Sequence, residues 1–188
     1  MNYKLNRYVP DFYFDNIFKI PYDLFLSQGF KGIFFDLDNT LMCYSDKNLS
    51  NFTKKFLQKI NEKFKIVIVS NASKKKLQKI CNNDFLYVYL NIFCKKPSLF
   101  GFKHALKLIN LPFNQVLMVG DQLITDIWGA HKMKIKSILV KPINREKEFL
   151  FTKFKRFWFE RVILKKIKKQ KNEIYENKLK NFANYLKF

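Results

Sequence analysis

The sequence predicts an α/β fold, a mainly parallel sheet with helices on both faces, and three observations predict it. Four short apolar or β-branched runs recur along the chain, at 32–37, 65–70, 115–120 and 137–140, each of strand length. Segments with helical spacing of apolar residues lie between them. Polar residues able to do chemistry stand directly after three of the runs, where parallel sheets bind ligands.

Taken in order, "KGIFFDLDNTL" supplies the first strand, an apolar run broken by Asp36 and Asp38. Leu49, Phe52, Phe56, Leu57 and Ile60 then share one helix face. "KIVIVS" is the second strand and ends in Ser70 and Asn71. A further strand is expected within 84–93, "DFLYVYLNIF". Leu99, Phe102, Leu106 and Ile109 mark the next helix; "QVLMVG" follows as a strand that ends in Gly120 and Asp121, with Asp126 just beyond. The 137–140 run closes the sheet. From 146 to 188 neither Gly nor Pro interrupts the chain, which reads as one or two helices carrying 13 basic and five acidic residues. Two domains of unequal size are expected: a core over 1–145 and a basic, aromatic-rich helical extension over 146–188 packed on or beside it. Phe149, Phe151, Phe154, Phe157, Trp158, Val162 and Ile163 gather in the first half of that extension. They fit two readings, docking on the core with a solvated lysine face, or contact with an anionic lipid surface.

Composition bounds the rest. At 188 residues with 48% hydrophobic content the chain can bury a sizeable core. Its formal charge of +21 suits anionic partners, either membrane surfaces or nucleic acid. The same excess of Lys, Asn, Phe and Ile also arises from the compositional bias of a whole genome, so charge alone does not choose the partner. Three cysteines, Cys43, Cys81 and Cys94, with no C-x-x-C spacing, suggest neither a disulfide framework nor a zinc site. No apolar run reaches the ~18 residues of a spanning helix, and the N-terminus lacks the apolar stretch of a signal peptide. The expectation is a cytoplasmic protein, with peripheral contact to the inner face of the membrane as a further one.

In an extended segment Asp36 and Asp38 point to the same side and can address one group together. One ionised carboxylate can act as nucleophile while the other, protonated, serves the leaving group and then activates water. Asp121 and Asp126 add carboxylates at a neighbouring strand end, and such a cluster repels itself without a cation. Hard oxygen ligands point to Mg²⁺. Ser70 and nearby amides, including that of Asn71, can hold phosphate oxygens, and of the two lysines in "CKKPSLFG", Lys96 is taken to supply the compensating charge, with Lys95 its rival. No cysteine has an Arg six residues later, and G-x-x-x-x-G-K and G-x-G-x-x-G are absent, which removes cysteine-phosphatase, P-loop and dinucleotide chemistry.

The order D-L-D-N-T, S-N, K-P, G-D-x-x-x-x-D resembles the haloacid dehalogenase (HAD) superfamily, whose members are mostly Mg²⁺-dependent phosphatases with a three-layer Rossmann-like core. A closer resemblance runs from near the N-terminus to about Leu164, through "IVIVSNASKKKL", "KKPSLFGFKHALK" and "VLMVGDQLITDIWGA", to the YqeG family of subclass IIIA phosphatases. Relatives of that family include mitochondrial phosphatidylglycerophosphate phosphatases. The resemblance implies Asp36 as nucleophile, Asp38 as general acid and base, Thr40 positioning the acid, Ser70 on the phosphate, and Lys96 offsetting charge. It implies Mg²⁺ held among Asp36, Asp38, Asp121 and Asp126, and an anionic phospholipid headgroup as substrate. The chain departs from the family at His131-Lys132 and at Lys155-Arg156, where the family has Asn-Arg. The spacings from Asp38 to Ser70 and from Ser70 to Lys96 each hold one helix and one strand, leaving no room for a cap domain. An open site suits a phosphate carried on something large. Nucleic-acid ends or nucleotides are the rival substrates, and a non-catalytic binding protein of the same fold is the rival class.

Overall fold

A computed structural model describes residues 3–91, 93–148 and 150–186. Six strands form one parallel sheet: β1 (Phe12–Phe14), β2 (Gly32–Phe35), β3 (Lys65–Ser70), β4 (Leu86–Tyr89), β5 (Val116–Gly120) and β6 (Lys136–Val140), in the order β1-β6-β5-β2-β3-β4. The first predicted strand stops at Phe35, two residues short of 37, because Asp36 to Thr40 turn out of the sheet. The sequence reading did not foresee β1. Three half-buried residues of an edge strand, pairing Phe12 with Ile138, show too little pattern to be told from loop.

The alternation of side chains along each strand divides the core. Ile33, Phe35, Ile66, Ile68, Leu117 and Val119 face one side. Beyond the short α1 (Tyr3–Asn6), they meet there Phe25 of α2 (Tyr22–Ser27), Leu57 of α3 (Asn51–Asn61) and Leu77 of α4 (Lys74–Cys81). Phe34, Val67, Val69 and Met118 face the other and meet Phe102, Ala105 and Ile109 of α5 (Leu99–Ile109). The helices start where their caps dictate: Ser50, Ser73 and Ser98 each accept a backbone N–H of the first turn of α3, α4 and α5. Asn82 and Asn110 end α4 and α5 in the left-handed conformation that Asn tolerates. The connections that follow β2 and β3 carry only α3 and α4 among the described residues, so no folded insertion covers that edge of the sheet.

The C-terminal part corrects the expectation of one or two helices. Beyond α6 (Trp128–Lys132) and β6, it forms α7 (Leu150–Lys155), a wide turn (Arg156–Glu160), α8 (Arg161–Gln170), α9 (Asn172–Lys178) and α10 (Lys180–Tyr185). The helix breaks at Lys171 (φ −147°, ψ 56°) and Leu179 (φ −127°, ψ −17°) without Gly or Pro. Burial is the reason. The breaks bring Leu164 and Ile167 together with Tyr175, Leu179, Phe182 and Leu186 against Leu123, Ile127 and Leu139, which one straight helix does not do. Phe149 and the side chains of Phe151 and Phe157 lie outside the described residues; Ile163 is partly buried against this cluster, whereas Phe154, Trp158 and Val162 are exposed. No helix among the described residues is long and apolar enough to cross a membrane.

Candidate active site

The carboxyl ends of β2, β3 and β5 lie side by side, so the residues that leave them converge. The Asp36 amide still donates to Val119 O (2.9 Å), and its carboxylate stands beside the end of β5. Gly120 makes the approach feasible. A Cβ there would lie 2.4 Å from the Asp126 carboxyl carbon, so any larger residue would push Asp126 away. Lys96 reaches the same point, its Nζ 2.6 Å from Asp36 Oδ1 and 2.7 Å from Asp126 Oδ1, with all three side chains buried. Asp126 Oδ2 accepts from the Gln122 amide (3.1 Å). One carboxylate oxygen from each of Asp36, Asp121 and Asp126 lies within 4.8 Å of the other two.

Each remaining predicted residue has a definite place. Asn39 adopts φ 68°, a left-handed turn that sends Thr40 back toward β5, where Thr40 Oγ1 donates to Asp121 Oδ1 (3.2 Å). Asn71 Oδ1 accepts from the Lys96 amide (2.8 Å), fixing the backbone from which the buried ammonium extends. Ser70 Oγ accepts from the Ala72 amide (3.2 Å), which leaves its hydroxyl proton to donate elsewhere. Asp38 lines the same cleft as Asp36, but its carboxylate is outside the close group of three and pairs with Lys76 Nζ at 2.5 Å. Of the two candidate lysines, Lys96 is the buried one and Lys95 sits on the cleft lining. The cleft encloses about 730 Å³ and is open to solvent, with Tyr44 and Lys76 also on its lining.

Sequence reasoning missed three residues here, all from the C-terminal part. Arg156 is fully buried, pairs through Nη2 with Asp121 Oδ2, and donates from Nη1 to the Asp121 carbonyl (2.8 Å). Its Nε stands 2.9 Å from Glu148 Oε1, and its Nη1 3.3 Å from Glu160 Oε2. Glu160 Oε1 accepts from the Leu123 amide (2.7 Å), satisfying the first turn after Asp121. The signal was present in "KRFWFERV": an Arg and a Glu four apart within an aromatic run are placed for a helical ion pair in apolar surroundings.

Five buried carboxylates, Asp36, Asp121, Asp126, Glu148 and Glu160, thus face two buried cations, Lys96 and Arg156. The imbalance shows in their protonation. Burial pushes the Asp36 carboxyl up to about 7, with Lys96 opposing and Asp126 adding to the rise. Burial also holds Asp121 well above its ordinary value despite Arg156, and raises Glu160 and Asp38. Burial would lower Lys96, but Asp126 and Asp36 outweigh it and keep the ammonium charged. Three clustered hard-oxygen donors with surplus negative charge fit a divalent cation such as Mg²⁺, with Asp36, Asp121 and Asp126 as the residues to hold it.

The chain is similar to several known proteins. Residues 93–148 match the HAD-hydrolase-like family. The chain is 29% identical over 167 residues to the probable phosphatase YqeG of Bacillus subtilis, covering 87% of this chain and 93% of that protein. It is 45% identical to a glyceraldehyde 3-phosphate phosphatase of Pyrococcus abyssi over 47 residues, a quarter of this chain and 20% of that one. Among solved structures, a HAD family enzyme from Bacteroides thetaiotaomicron in complex with magnesium superposes with a TM-score of 0.50 at 13% identity, over 62% of this chain and 96% of that one. The D,D-heptose 1,7-bisphosphate phosphatase of B. bronchiseptica, complexed with magnesium and phosphate, gives 0.50 at 16% identity, over 62% and 84%. The chain therefore has the Rossmann-like HAD hydrolase fold, and it is an enzyme, a phosphoric monoester hydrolase.

Proposed function

We propose that the protein is a Mg²⁺-dependent phosphatase that works through an aspartyl-phosphate on Asp36 and removes the terminal phosphate of phosphatidylglycerophosphate, giving phosphatidylglycerol. The observation that carries the chemistry is Asp36 at the head of the open cleft, held by Lys96 together with Asp126. An Asp36 oxygen attacks phosphorus, and the ester oxygen leaves with the proton of Asp38, whose raised carboxyl favours the acid form. Asp38, now ionised, takes a proton from water as that water attacks phosphorus; phosphate departs and the Asp36 carboxylate is restored. Mg²⁺, when bound, supplies the positive charge that keeps Asp36 ionised and orients the phosphoryl group. The Ser70 hydroxyl donates to a phosphoryl oxygen, Asn71 fixes Lys96, and Thr40 steadies Asp121.

The lipid assignment is supported by the uncovered cleft, by the formal charge of +21, and by the family resemblance of the motifs. In this reading the core over 1–145 carries the reaction, the extension over 146–188 contributes Arg156 to it, and the protein works in the cytoplasm at the membrane's inner face. The test compares Mg²⁺-dependent phosphate release from phosphatidylglycerophosphate in anionic vesicles with release from nucleotides and from 5′-phosphorylated DNA, with Asp36→Asn as the inactive control. A preference for the lipid is expected. A preference for nucleotides or DNA ends would overturn the substrate, and full activity of the control would overturn the nucleophile.

A further inference from the structure

The two turns that build the active site also shape a second surface that the reaction does not use. The turn Leu123–Ile127 buries Asp126 beside Lys96 and leaves Ile124 partly exposed on another side. The turn Arg156–Glu160 buries Arg156 and Glu160 and leaves Trp158 and Phe159 55% and 56% exposed. Tyr8, Ile124, Trp128, Phe154, Trp158 and Phe159 line an apolar groove of about 730 Å³. Among the described residues no charged side chain lines it, yet cations stand at its edge: Arg7 lies 4.8 Å over the rings of both Tyr8 and Trp128, and Lys132 lies 4.2 Å over Trp128. Residues 150–170 hold seven further basic residues besides the buried Arg156, and their one acid, Glu160, is spent internally on Arg156.

We propose that this groove seats on the surface of an anionic lipid bilayer, Trp158 and Phe159 entering the boundary between headgroups and acyl chains while Arg7, Lys132 and the lysines of α8 meet lipid phosphates. Charge complementarity selects an anionic partner, and the apolar lining demands one that also offers hydrocarbon. A lipid surface presents both, in layers that match aromatic rings flanked by cations. Nucleic acid supplies the phosphates without the hydrocarbon. The inference extends the lipid reading of the substrate, but its test reads binding, so either can fail alone.

The chain has two tryptophans, Trp128 and Trp158, and both line the groove, so intrinsic fluorescence reports on it directly. The full chain is titrated with vesicles of phosphatidylcholine, alone or mixed with phosphatidylglycerol. A blue shift is expected with the anionic vesicles and is reversed by salt. Phe159→Ser combined with Phe154→Ser should weaken partitioning about tenfold, with p-nitrophenyl phosphate hydrolysis unchanged. Emission that ignores anionic vesicles, or a double variant that binds them as well as the parent, would overturn the proposal. So would a dimer in solution that the double variant dissolves, because a second copy would then occupy the groove. Intact vesicle binding without hydrolysis of phosphatidylglycerophosphate would sustain this inference and sink the substrate assignment.

Discussion

Arg156→Met isolates the contribution of the C-terminal part to the site. The methionine fills similar space but removes the cation shared by Asp121, Glu148 and Glu160, and with it the bond to the Asp121 carbonyl. Breaking a buried ion pair from one side costs about 3–5 kcal/mol, a large share of the roughly 5–15 kcal/mol that holds a domain together. The orphaned carboxylates can escape part of that cost by taking up protons. Asp121 and Glu160 are already raised by burial with Arg156 opposing, so removing Arg156 raises them further. The folded variant then holds protons that the unfolded chain releases near 3.8 and 4.5, and its stability falls as pH rises through that window and beyond. Urea unfolding followed by circular dichroism at about pH 5 and about pH 8 should therefore show a deficit that widens at the higher pH. Arg156→Lys, which keeps the charge and loses the planar fork, should fall between parent and Met variant. The reasoning is refuted if Arg156→Met unfolds at the same urea concentration as a change at an exposed lysine, such as Lys168→Met, at both pH values.

Two further outcomes follow from the same charge imbalance. In the metal-free protein, Asp36 is carried by burial from 3.8 to about 7, so the folded state binds the extra proton and thermal stability should decline as pH climbs between those values. Asp11, lowered by His131 and Lys136 against the effect of burial, acts in the opposite sense but only below 3.8. Calorimetry with chelator should show the decline, and Mg²⁺ near neutral pH should reverse it with proton release; a melting temperature that rises across the window contradicts the assignment. Lys96→Met leaves Asp36 and Asp126 without their shared ammonium. It should cost about 3–5 kcal/mol without metal and make Mg²⁺ stabilise the variant more than the parent, as read from melting shifts.

The sheet was legible because four of its six strands are continuous apolar runs, the mark of parallel strands buried on both faces. The edge strand Phe12–Phe14 was not, since three half-buried residues show no period. The site was legible where chemistry and topology coincide: Ser70 ends a strand, Asp36 and Asp121 each follow one, and adjacent parallel strands deliver their ends to one edge. Lys96 and Lys95 look alike as sequence; only the path of the loop, with Asn71 holding the Lys96 amide, decides which is buried. Asp38 shares the face expected of it, but a lysine of α4, Lys76, takes its carboxylate, and no local pattern announces a partner 38 residues away. Arg156 escaped for the same reason: its spacing from Glu160 announces a helical ion pair, but nothing local announces Asp121, which lies 35 residues back.

The central claim is that Asp36 becomes phosphorylated. Quenching the Mg²⁺-loaded enzyme during turnover of a phosphomonoester, reducing the acyl phosphate with borohydride and sequencing the peptide by mass spectrometry tests it most directly. The account predicts homoserine at position 36, formed only when substrate and Mg²⁺ are both present. Phosphate release that proceeds with position 36 recovered as unmodified aspartate, or with the reduced residue elsewhere, would contradict it.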